Sequence, residues 1–288
     1  MKKNFKSILR LSVFAAAALG LAACGTGDKG GAASSEAASS GSEAEKTVIT
    51  IGASSTPHAE ILEQVKEDLA AEGYDLDIKI FDDYVLPNTA LNDGSLDANF
   101  FQHLPYLENF NKEHGIDLVS VGGVHFEPLG IYPGKAASLD AITEGGKVAI
   151  PNDATNGARA LLLLEAAGLI KLKDGADITA TSKDIVENPK DLEIVELEAA
   201  QVARAVQDVD VAVINANYAL EADFDVEKDS LKSEDKDSEA AQTYANILVV
   251  RAEDQDSDAI KALLSALQSE KVKTFINETY KGAVVPVF

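Results

Sequence analysis

Thr47-Val48-Ile49-Thr50-Ile51, then Thr56-Pro57, then Ile61, Leu62, Val65 and Leu69, then Gly73, then Asp77-Ile78-Lys79-Ile80-Phe81: these residues decide the fold. The first and last runs are β-branched and apolar, which suits a strand. Thr56 and Pro57 offer an N-cap and a proline at the first helical position. The four apolar residues that follow share one face of a helix, and Gly73 supplies its stop. Strand, helix and strand in succession make a βαβ unit.

The alternation continues outward. Strands are expected at Leu96–Phe100, Asp117–Val121, Lys147–Ile150, Leu192–Leu197, Val209–Ile214 and Asn246–Val250. Helices are expected near Tyr106–His114, Gly157–Ala167, Ala199–Val206 and Asn217–Glu221, with Ser257–Gln268 and Glu270–Lys281 closing the chain. This order predicts an α/β architecture whose largely parallel sheets are covered by helices. From Thr47 onward the chain is too long for one comfortable sheet, so two lobes are expected.

Before this part lies an address. Lys2, Lys3, Lys6 and Arg10 precede and enter an apolar run, Leu11–Ala23, that is too short to span a bilayer comfortably. Leu21-Ala22-Ala23-Cys24-Gly25 resembles a bacterial lipobox, which makes residues 1–23 a signal peptide and Cys24 the lipidated first residue of the mature chain. The chain has no other cysteine, so no intrachain disulfide can form. Residues 24–45, mostly Gly, Ala, Ser and Glu, read as a flexible linker. The expected location is the extracytoplasmic face of the cell membrane, reached through the lipid anchor.

Charge narrows the partners. Of 288 residues, 48 are Asp or Glu and 25 are Lys or Arg, a formal charge of −23 that becomes −27 once the four signal-segment cations are removed. Such an excess is repelled by phosphate backbones, so nucleic acid is not an expected partner. The sequence has no Gly-x-Gly-x-x-Gly after a strand, no P-loop, no His-Glu-x-x-His and no Gly-x-Ser-x-Gly elbow. No catalytic residue and no cofactor is therefore assigned, and the chain does not read as an enzyme.

Three features stand out as candidate binding residues. Eight of the 17 aromatic residues fall within 81–132, together with His103, His114 and His125. Phe101-Gln102-His103-Leu104-Pro105-Tyr106 lies where a strand gives way to a helix, the end at which α/β folds place ligands. Arg159 is one of only four arginines and is read as sitting in the first turn of a helix, a position that electrostatics assigns to an acid. Either an anion binds beside it, joined by Asn156, or it pairs with a glutamate. Asn215-Ala216-Asn217-Tyr218 follows a buried-looking strand, and its amides either bind a ligand or cap the next helix.

Taken together, Phe81–Asn88, Leu96–His103, Ala149–Leu164 and Val213–Ala219 resemble the NlpA family, the methionine-binding lipoproteins of ABC importers; Gly168–Asp174 and Val186–Lys190 extend the likeness. The resemblance implies a two-lobed periplasmic-binding-protein fold of type 2 with the ligand cleft between lobes. Lobe I is then 46–127 plus 225–288, and lobe II is 128–224. It implies methionine as ligand, the L form expected, the importer's permease and ATPase as partners, and a monomer. Tyr84, Phe101 and Tyr106 match the aromatic pocket for the thioether, and Arg159 the carboxylate ligand with Asn156 beside it. His103 and Asn215 match polar groups around the amino-acid backbone, with Asn217 and His125 as further members. A metal-binding alternative on the same fold would use His58, His103, His125 and Glu127; no metal is assigned. An adhesive role, suggested only by the anchor and tether, would leave no signature of its own.

Overall fold

The computed structural model describes residues 46–237 and 239–288. The signal peptide, Cys24 and the linker lie outside these. Among the described residues no helix is long and apolar enough to cross a membrane.

The described residues build thirteen strands: β1 Thr47–Ala53, β2 Tyr74–Ile80, β3 Ala98–His103, β4 Val119–Phe126, β5 Gly130–Pro133, β6 Lys147–Pro151, β7 Lys171–Leu172, β8 Ile185–Glu187, β9 Glu193–Leu197, β10 Val211–Ile214, β11 Lys232–Ser233, β12 Ala245–Val250 and β13 Val285–Pro286. One sheet has the order β13-β4-β12-β3-β1-β2 and a second β11-β5-β10-β6-β9, while β7 and β8 form a small ribbon. One buried apolar cluster draws on both of the larger sheets, Ile51 and Leu248 with Ala212 and Ile214.

The opening βαβ unit is present, with β1 and β2 parallel and in register from Thr47 against Tyr74. Its helix, Glu60–Ala71, buries Ile61, Leu62, Val65 and Leu69 completely or nearly so. Each such side chain contributes roughly 1.5–3 kcal/mol through removal from water. Gly73 follows the helix at φ +93°, a conformation that costs a residue with a Cβ, and turns the chain into β2. The predicted cap is not formed. Thr56 is extended at φ −128° and ψ 136°, and the regular helix starts only after Ala59. An extended Thr56 would suit a cap, but its hydroxyl donates to the Glu60 carboxylate and no side chain caps the helix start.

The sheets are mixed where largely parallel ones were expected. Pairs β1–β2, β1–β3, β6–β9 and β6–β10 are parallel, whereas β12 runs antiparallel to both β3 and β4, and β5 antiparallel to β10 and β11. The antiparallel strands are those where the chain leaves one sheet for the other. It passes from the first sheet to the second between Phe126 and Gly130 and returns between Ser233 and Ala245. The boundary expected at residue 225 thus precedes β11, the last strand of the second sheet.

Candidate functional site

The carboxyl ends of several strands deliver polar and aromatic side chains to one cavity. Phe101 and His103 come from β3, and Tyr106 from the helix that follows it, Leu104–His114. Tyr84 comes from the loop after β2. From the second sheet come Asn156 and Arg159, on the helix Ala154–Ala166 after β6, and Asn215 and Asn217 after β10. Eight of the nine candidate ligand residues line this cavity. The ninth, His125, is fully buried beneath it against Glu127, which does line the cavity along with Gln102 and Asn246.

The aromatic candidates form one surface. Tyr84 and Phe101 have ring centroids 5.8 Å apart, Tyr84 and Tyr106 5.8 Å, and Phe101 and Tyr106 6.1 Å, mostly edge-on. Their orientation is set by polar ends: the Tyr106 hydroxyl donates to the Tyr84 carbonyl at 3.0 Å, and the Tyr84 hydroxyl to Asn217 Oδ1 at 2.6 Å.

His103 has a defined tautomer. Its Nδ1 accepts from the Tyr106 backbone N–H at 3.2 Å, so Nε2 carries the proton and donates to Asn156 Oδ1, also at 3.2 Å. Burial, reinforced by the charge of Arg159, pushes its pKa down to about 3, so the imidazole stays neutral. Asn156 is a hub. Its Oδ1 also accepts from Asn215 Nδ2 at 2.8 Å, and its own Nδ2 donates to Asp153, the residue capping the helix.

Two amide atoms are left over. Asn215 Oδ1 and Asn217 Nδ2 are buried and have no protein partner. Neither side chain caps the helix Ala216–Glu221, so the capping alternative does not hold. A buried acceptor and a buried donor without partners, on residues that line a cavity, are groups a ligand can satisfy.

Arg159 differs from its expected setting. The helix begins at Ala154, which puts Arg159 in the second turn and removes the argument from the helix terminus. It is buried, and Glu234 grips it with two bonds, Nε to Oε1 at 2.8 Å and Nη2 to Oε2 at 2.5 Å. Nη2 also donates to the Glu127 carbonyl at 2.8 Å, and the guanidinium lies 4.2 Å from the centroid of the Tyr244 ring. The pairing with a glutamate is therefore real. No hydrogen bond from Nη1 is found among the described residues, and Arg159 lines the cavity.

Residues 49–288 match the family described as NlpA lipoprotein. The chain belongs to that family. It is 46% identical over 226 residues to the D-methionine-binding lipoprotein MetQ of Salmonella typhi, covering 77% of this chain and 82% of that one. Among solved structures it resembles a nutrient binding protein from Burkholderia cenocepacia bound to methionine, with a TM-score of 0.79, 45% identity and coverage of 83% and 100% of the two chains. An ABC transporter periplasmic substrate-binding protein from Coxiella burnetii matches with a TM-score of 0.78, 42% identity and the same coverage.

In this NlpA protein the metal alternative finds three of its four residues together. His58, His125 and Glu127 have ligating atoms within 4.8 Å of one another, and His103 is not in the group. The surroundings do not fit a metal. A metal-bound imidazole directs its other N–H at an acceptor, and Nδ1 of both His58 and His125 is buried without a partner. The cluster is satisfied instead by hydrogen bonding through Nε2.

Several site residues of this NlpA chain escaped sequence reasoning. Asn246 left one signal, a polar residue in the otherwise apolar run Ala245–Val250. Glu234 left none, because it stands among other acids in Ser233-Glu234-Asp235-Lys236-Asp237.

Proposed function

We propose that this chain is an extracytoplasmic binding protein, anchored by lipid at Cys24, that captures methionine between its lobes and delivers it to the permease and ATPase of an ABC importer. The role is capture, not catalysis. The observation that carries it is the composition of this cavity: an aromatic surface beside an arginine and two unpartnered amide atoms. Tyr84, Phe101 and Tyr106 receive the thioether, for which sulfur–aromatic contacts contribute ~0.3–1.5 kcal/mol each. Arg159 Nη1 meets the carboxylate, and Asn215 and Asn217 complete the polar end. The family membership and the methionine-bound relative support the same ligand. Ligand contacts to both lobes stabilise the closed arrangement over an open one.

Calorimetric titration of the purified lipoprotein with L-methionine, D-methionine and norleucine tests this. Saturable one-to-one binding of L-methionine, tighter than norleucine, is expected, and the D form reports how far the polar end reads chirality. Absence of heat with either methionine enantiomer overturns the reading.

A further inference from the structure

Beneath the cavity lies a cluster that the proposed role leaves without a task. Glu127, the first residue after β4, is 6% exposed and lines the cavity, while His58 and His125 behind it are at 1% and 0%. His125 Nε2 is 2.7 Å from Glu127 Oε1. His58 Nε2 is 3.4 Å from the same oxygen and 3.0 Å from Asn246 Oδ1.

The proton positions follow from the partners. An amide oxygen and a carboxylate oxygen only accept, so both imidazoles carry their proton on Nε2. Their unpartnered Nδ1 atoms are then bare lone pairs, which is the less costly way to leave a buried nitrogen unmatched. Burial holds His58 down to about 4 and His125 to about 3, so neither supplies a positive charge. Burial also raises the Glu127 pKa, against which the neighbouring His58, the charge of Arg159 and the Asn217 backbone N–H act. Glu127 Oε1 thus accepts from the neutral His125, while the single Nε2 proton of His58 goes to Asn246 and that ring stands 3.4 Å from the same carboxyl oxygen.

Among the described residues no lysine or arginine lies within hydrogen-bonding distance of that carboxyl group. The nearest, Arg159, touches Glu127 only at its backbone carbonyl and gives its two-toothed edge to Glu234. An anion removed from water needs a partner. Oε1 accepts from His125, the Asn217 backbone N–H also reaches the carboxyl group, and Glu127 lines the cavity in which Asn215 Oδ1 is without a donor. A group with several N–H donors and a positive charge satisfies both.

We propose that Glu127, oriented by His125 and His58, accepts the α-ammonium group of the ligand and makes the site selective for free amino acids over des-amino or N-acylated analogues. The proposal rests on the reading above that the ligand is an amino acid with a thioether side chain. It gives the site opposite charges for the two ends of a zwitterion, Glu127 at the ammonium and Arg159 Nη1 at the carboxylate. His58 and His125 are positioning residues, since they act through Glu127.

The test compares L-methionine with 4-(methylthio)butanoate, which lacks only the amino group, on the full-length lipoprotein in detergent. Wild type is expected to favour methionine by at least roughly 30-fold, the scale for losing one partner of a buried charge pair. Glu127→Gln should weaken methionine binding by a similar factor and leave the des-amino analogue within about threefold, so that the preference collapses. His125→Gln, which keeps an N–H donor, should retain most of the preference that His125→Phe loses. A wild-type preference within threefold overturns the proposal even where no variant folds. So does Glu127→Gln that keeps the full preference. In both cases methionine still binds, and the function proposed above stands; wild type that binds no methionine removes both.

Discussion

The hydroxyl of Tyr84 donates a 2.6 Å hydrogen bond to Asn217 Oδ1, joining a loop beyond the first sheet to a helix beyond the second across 133 positions of sequence. Together with the His103–Asn156 bond it ties one wall of the cavity to the other.

Tyr84→Phe removes this tie and keeps the ring. A net hydrogen bond of about 0.5–1.5 kcal/mol corresponds to a roughly two- to tenfold weaker affinity for methionine. The loss should fall on dissociation, because the bond acts once the lobes have met. Stopped-flow measurement of both rate constants checks this, and an unchanged dissociation rate refutes it.

Arg159 and Glu234 invite a stability prediction. Breaking a buried pair by removing one partner costs about 3–5 kcal/mol, because the other charge is left uncompensated. Glu234→Ala should therefore lower the melting temperature clearly, and Arg159→Ala should lower it as well as abolish binding. Arg159→Lys separates the two effects: it keeps a charge near Glu234 but loses the fork and Nη1, so binding falls further than stability. Melting curves and titrations of the three variants, taken together, decide it.

Phe101→Leu tests the aromatic surface. The ring faces Tyr84 and Tyr106, and losing one sulfur–aromatic contact of ~0.3–1.5 kcal/mol should reduce the preference for methionine over norleucine by up to about tenfold. Affinity for norleucine itself should change less. A ratio that does not move would remove the sulfur contact as a source of selectivity.

Acid separates His103 from a generic polar residue. Its pKa is about 3 in the fold against 6.5 in an unfolded chain, so below pH 6.5 the unfolded state binds a proton that the fold excludes. Its contribution is therefore complete above pH 6.5 and declines as the pH falls toward 3. The raised carboxylates Glu127 and Asp153 work in the opposite sense, which makes a difference between variants cleaner than a single curve. His103→Gln should lower the melting temperature at pH 7.5, and the gap to wild type should narrow by pH 5. A gap independent of pH would contradict a buried neutral imidazole.

Much of this architecture was legible because apolar periodicity reports burial directly. Ile61, Leu62, Val65 and Leu69 announced their helix, and the run at Val211–Ile214 its strand. Mixed strand directions were not legible, since no local pattern tells β12 which neighbours it will meet. The site divided along the same line. Phe101, His103 and Tyr106 lie close in sequence and on one strand-to-helix junction, so their convergence could be anticipated. Arg159 could be singled out by rarity, but its partner 75 residues away in an acidic stretch could not. His125 was placed in the site when it supports the site from below, because sequence does not distinguish the two faces of a strand buried on both.

The position of β12 has a bearing on how the protein comes to exist. Its six residues stand between β3 and β4, so the first lobe's sheet is split until residue 250 has been made. The second sheet, drawn entirely from 130–233, is complete well before that. Synthesis therefore finishes the later lobe first and leaves the earlier one open at its centre until β12, which carries Asn246 to the cavity, has been made. For the extracytoplasmic role proposed above this order has a use: the leading portion cannot lock into a finished sheet early.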